Sequence, residues 1–113
     1  MKKAFTVILL SFLSVSNVFA AGFNGHTDKT SVAEAIKRPD NSYVTIEGNI
    51  VKKLSSDKYL FKDVSGSITV EIDKEKWGNI DVSEKDTLEL SGEIERKFNS
   101  IHLDVDTVKK LSK

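Results

Sequence analysis

Residues 43–50 read Tyr-Val-Thr-Ile-Glu-Gly-Asn-Ile. Val44, Ile46 and Ile50 fall on one face at period two, and Thr45, Glu47 and Asn49 fall on the other. This is a half-buried strand, and Gly48 in its middle marks a bulge or a sharp bend. The same pattern returns four times downstream. Tyr59 and Phe61 alternate with Leu60 and Lys62. Ile68, Val70 and Ile72 alternate with Thr69, Glu71 and Asp73. Leu88, Leu90 and Ile94 alternate with Glu89, Ser91, Glu93 and Glu95, and Gly92 repeats the mid-strand glycine. Ile101, Leu103 and Val105 alternate with His102, Asp104 and Asp106. Turn residues separate the runs: Ser55-Ser56-Asp57, Val64-Ser65-Gly66 and Asn99-Ser100. Beyond Asp106 the end of the chain, Val108 to Lys113, reads as a short basic tail.

Ahead of the strands, Ser31 and Glu34 form a capping box, and Val32, Ala35 and Ile36 share one helical face. Pro39 stops that helix early. Lys74 to Asn79, containing Trp77-Gly78, reads as a helical turn or loop between the third and fourth strands. The fold class is therefore all-β with short helices. Five strands with bends in the first and fourth and an insertion after the third predict a five-stranded Greek-key OB-fold barrel, preceded by a short N-terminal helix. An SH3-like barrel competes, and the Trp77 segment, placed where an OB-fold carries its helix, decides against it.

The first twenty residues have a different character. Lys2 and Lys3 precede an apolar run, Ala4 to Leu13, too short to span a bilayer. Val18-Phe19-Ala20 supplies a cleavage site. Residues 1–20 thus read as a signal peptide cut after Ala20, with 21–113 a single domain and 21–30 an irregular arm. Export to the periplasm follows, without membrane insertion of the mature chain. The 113-residue sequence contains 17 basic and 17 acidic residues and no cysteine. Losing Lys2 and Lys3 leaves 15 basic against 17 acidic. That balance argues against general nucleic-acid binding. The lack of cysteine excludes disulfides, thiolate metal sites and a cysteine nucleophile.

Several stretches together resemble the bacterial OB-fold (BOF) family of exported proteins in Gram-negative bacteria. They are Gly22-Phe23, Val32-Ala-Glu-Ala35, Tyr43 to Ile50, Tyr59 to Asp63 with Ser65-Gly66, Ile68 to Ile72 with Trp77, and Leu90-Ser-Gly-Glu93. Ser65 stands where the family pattern leads one to expect Thr. The resemblance implies a periplasmic domain linked to envelope stress tolerance and implies no enzyme.

No triad, nucleophile elbow or cofactor motif is present, so neither catalytic residues nor cofactors are expected. His102, Asp104 and Asp106 share a strand face, but steps of roughly 6.5–7 Å are too long for all three to hold one ion. A solvated face is expected there rather than a metal site; a weak cation site completed by Glu71 or Asp73 is the lesser reading. Tyr59 and Phe61 are expected in the core and Trp77 as a lid over the barrel end, which leaves no aromatic platform for single-stranded nucleic acid. The remaining functional feature is charge. In an OB barrel the fifth strand lies between the third and fourth, so Glu71, Asp73, Asp104 and Asp106 converge as candidate ligand-binding residues. Lys52, Lys53, Lys58 and Lys62 gather on the other flank. The reading is a non-enzymatic periplasmic binding module whose partner is a cationic peptide or envelope protein. The alternative is a module for a cell-wall saccharide or other glycan.

Overall fold

The structure is a computed structural model and describes residues 29–111. The expected signal peptide and most of the arm lie outside the described residues. Helix α1 spans Val32–Ala35, followed by strands β1 (Tyr43–Lys53), β2 (Lys58–Asp63) and β3 (Gly66–Glu71), helix α2 (Lys74–Trp77), and strands β4 (Leu88–Lys97) and β5 (Ser100–Lys110). The strands close into a barrel in the order β1-β2-β3-β5-β4. The pairing of β3 with β5 is parallel and the other pairings are antiparallel.

The two mid-strand glycines explain how the long strands bend so that the barrel closes. Gly48 is where β1 changes partner: Tyr43 to Gly48 pair with β4, and Asn49 to Lys53 pair with β2. A Cβ on Gly48 would run into the backbone carbonyl of Lys62. A Cβ on Gly92 would run into the backbone of Asp104 and Val105. Both positions let one backbone press against another, which no side chain permits.

The inward positions of all five strands form one core around Phe61, with Ile46, Val70, Leu88, Leu90, Ile94 and Leu103 fully buried. Val32 and Ala35 of α1 join it. Ser31 caps α1, its Oγ accepting from the Glu34 N–H at 3.1 Å. Two polar anchors hold this helix against the barrel. Asp63 Oδ2 accepts the Val32 N–H at 3.0 Å, while Oδ1 accepts from Ser65 N–H, Ser65 Oγ and Gly66 N–H. Arg96 donates through its guanidinium to the carbonyls of Ile36 and Arg38, and its own N–H goes to Asp40.

The structure corrects the sequence at the C-terminal end. The expected tail is the last part of β5, and Val108 pairs with Leu90. A bulge between Ser91 and Gly92 leaves Asp106 without a partner position, so the alternation changes phase there. A period-two reading ends at such a phase change although the ladder continues.

Candidate functional site

Two regions of the barrel carry chemistry. The first is the acidic flank. Glu71 lies directly opposite Asp104, and Asp104 lies opposite Glu93, so three carboxylates form a row across β3, β5 and β4. Asp73, beyond the end of β3, is the N-cap residue of α2. The Asp104 carboxyl is held above its ordinary range, first by burial and then by the charges of Glu95 and Asp73. His102 sits beside the row, its Nε2 3.1 Å from Glu95 and 3.5 Å from Glu71. These contacts suit an ion pair when the ring is protonated, yet the buried Nε2 has no aligned hydrogen bond.

Asp106 is placed differently from the other three candidates. It accepts from the Tyr43 hydroxyl at 2.9 Å and pairs with Lys76 at 3.3 Å. Those two partners hold its carboxyl below the ordinary range. The Tyr43 hydroxyl is pushed up in turn, by burial and by Asp106. The sequence therefore brings Glu71, Asp73 and Asp104 into one field, and the bulge turns Asp106 toward partners of its own. Glu93 enters the row by the β4–β5 register. Among the described residues, Asp57, Glu71 and Asp73 have carboxylate oxygens within 4.8 Å of one another. Oxygen donors of this kind suit a hard cation such as Ca²⁺ or Mg²⁺.

The second region is concave. At the barrel end where β1 runs into β2, a groove of about 860 Å³ lies between Ile50–Lys53, Tyr59 and the segment from Trp77 to Lys85. Here the sequence reading needs correction. Phe61 is buried as expected, but Tyr59 is only half-buried and lines the groove. It occupies an inward position on the second residue of β2, packs against the core and also reaches the groove. Trp77 stands against it edge to face, with centroids 5.5 Å apart, and is itself half-buried. Trp77 packs against the core, as the lid reading has it, and also lines the groove. Lys53 approaches the Tyr59 ring at 5.9 Å. Lys52, Lys85, Ser83, Asp81 and Glu84 complete a polar rim, and all five are exposed.

This arrangement can receive a ligand. The rings present apolar faces, and the rim offers donors and acceptors. The outer face of β2 and β3, where OB-folds stack nucleic-acid bases, presents Lys58, Leu60, Lys62, Ser67, Thr69 and Glu71 and no ring.

Comparison with known proteins agrees with this architecture. A family model described as "Bacterial OB fold (BOF) protein" matches residues 12–110. Protein YgiW of Escherichia coli (strain K12) is 40% identical over 129 residues, covering 99% of each chain. Its solved structure superposes with a TM-score of 0.73 at 42% identity, covering 74% of this chain and 90% of that one. The calcium-regulated OB-fold protein CarO of Pseudomonas aeruginosa is 35% identical over 92 residues, or 79% of each chain. The telomere capping protein Ten1 of Schizosaccharomyces pombe shares the fold at 13% identity, with a TM-score of 0.59 over 75% of this chain and 81% of its own.

Proposed function

Since the chain belongs to the bacterial OB fold (BOF) family, we propose that it works as a small, non-enzymatic binding module of the periplasm, acting in envelope stress tolerance and holding a cell-wall saccharide in the Tyr59–Trp77 groove. The observation that carries this reading is the half-buried aromatic pair at the mouth of a polar-rimmed cleft. Saccharide rings present C–H faces that pack on aromatic rings, and their hydroxyls need mixed donors and acceptors at the edge. OB-folds as a class bind oligosaccharides. The sequence placed the ligand on the acidic flank and a saccharide second. The exposed sides of Tyr59 and Trp77 reverse that order. Export rests on Lys2, Lys3, the short apolar run and the Val18-Phe19-Ala20 site.

Trp77 is the chain's single tryptophan, so its fluorescence reports the groove directly. Titration with soluble cell-wall glycan fragments should shift its emission saturably. Trp77→Phe and Tyr59→Ala should weaken retention on insoluble murein by about tenfold, the scale of one lost stacking contact. Unchanged emission, with no retention of the parent protein on murein, would sink the reading.

The acidic flank supports a second reading, a cationic peptide or a basic segment of an envelope protein. Crowding at Asp104 is the observation behind it, since an arriving cation relieves that repulsion. Exposed pairs contribute only about 0–1 kcal/mol each, so this binding is weak, multivalent and screened by salt. Calorimetry at low salt with a cationic peptide separates the readings: here Asp104→Asn is the damaging change and Trp77→Phe is silent.

A further inference from the structure

The end of the barrel opposite the groove has two tips that its folding does not explain. The β2–β3 hairpin turns through Val64-Ser65, and Val64 is fully exposed. The β4–β5 hairpin turns through Phe98-Asn99, and Phe98 is fully exposed as well. Phe98 has φ 53°, in the left-handed region. The first position of such a two-residue turn is ordinarily filled by Gly, Asn or Asp, because a bulky side chain is strained there. A phenyl ring in open water returns nothing to the fold for that strain.

The two tips lie at the same end. Thr69 lies opposite His102 in the parallel β3–β5 pair. Because the two strands run parallel, both begin at the same end of the barrel, and Val64 and Phe98 stand on the turns that lead into them. Lysines stand at the base of each turn: Lys62 on β2 and Lys97 on β4, both exposed and without an ion pair among the described residues. Asp63, beside Lys62, keeps its charge and spends its acceptors on Val32, Ser65 and Gly66 of the protein itself. Glu34 is paired with Lys37 at 3.6 Å.

We propose that this end of the barrel docks on an anionic lipid surface, with Phe98 and Val64 entering the headgroup region and Lys62 and Lys97 meeting lipid phosphates. Charge complementarity selects this partner. The tips are convex, so they enter a soft interface readily, whereas a protein partner would have to supply two separate pockets. The flanking lysines attract a negative leaflet and hold the two apolar side chains at the depth where apolar and charged groups meet. The contact is peripheral. Docked this way, the barrel turns the Tyr59–Trp77 groove away from the lipid.

Flotation with vesicles of phosphatidylethanolamine and phosphatidylglycerol, against phosphatidylcholine alone, tests the proposal, every variant carrying the same N-terminus as the parent. The parent should bind the anionic vesicles weakly and reversibly, and binding should fall with salt. Phe98→Asn should lower the partition coefficient about tenfold, the scale expected for one buried ring. The same change should leave thermal stability equal or higher, because Asn accepts the left-handed backbone. Lys97→Gln should lower binding about fivefold, as expected for one cation at such a surface. Equal binding to neutral and anionic vesicles would overturn the proposal, and so would a Phe98→Asn protein that floats like the parent.

Discussion

The two ends of this barrel are finished in opposite ways. At one end α1 is fastened over the core by two hydrogen-bonded side chains: Asp63, which accepts four bonds including one from the Val32 N–H, and Arg96, which donates to the carbonyls of Ile36 and Arg38. At the other end Tyr59 and Trp77 lean on each other and on the core, and part of each ring stays uncovered. Polar side chains tied to several backbone groups at once hold an end in one arrangement. Apolar rings left half-covered keep an end receptive. The difference separates residues that hold the barrel shut from residues available to a ligand.

Substitutions at each end should therefore fail differently. The largest effect belongs to Asp63→Ala. It strands the Val32 and Gly66 N–H groups and frees α1, so unfolding should become easier by about 3 kcal/mol, measured by urea denaturation. Groove binding should survive wherever the protein stays folded. The same carboxylate sets an acid limit. Burial alone would raise its pKa, but the hydrogen bonds from Ser65, Val32 and Gly66 outweigh burial and lower it. Its contribution is thus complete above the ordinary carboxylate range near 4. It is lost as pH falls through the lower folded value. Thermal melts of the parent should decline below about pH 4, and Asp63→Asn should flatten that decline.

Trp77→Ala comes next. The ring is half-buried, so stability should fall by only about 1–2 kcal/mol, less than for a fully buried aromatic. Glycan retention should disappear nonetheless. If Trp77→Ala proves as destabilising as Asp63→Ala, the contrast between the ends is broken. The smallest effect is expected at Asp104→Asn. The folded-state pKa of Asp104 is raised, so its ionised form opposes folding above that value and the opposition fades as pH falls. The Asn variant should be slightly more stable than the parent at pH 7 and indistinguishable from it in acid, by paired thermal melts.

The barrel itself was readable from the sequence because alternation and Gly48 and Gly92 are local signals. The order of strands followed from the fold type, and with it the meeting of Glu71 and Asp104. Three features were not readable. The bulge at Asp106 inserts one residue, which hides the end of β5 and redirects a candidate site residue toward Tyr43 and Lys76. The exposure of Tyr59 depends on its closeness to the barrel mouth, whereas alternation reports only that it points inward. The groove depends on where the loop after α2 comes to rest. That loop follows Gly78, whose φ of 60° turns the chain away, and it carries no period.

The position of β5 also sets the order in which the molecule can be assembled. β1, β2 and β3 are successive neighbours and can pair as soon as each turn forms. The first half of β1 must wait for β4, about forty residues later, and β5 must then slide between β3 and β4. Pairings so distant in sequence form slowly. Until the last strand arrives, β3 and β4 each present an open edge able to pair with another chain. A chain interrupted before Ser100 is therefore a sheet with two adhesive margins, and the final eleven-residue strand is what makes the protein sociable only by choice.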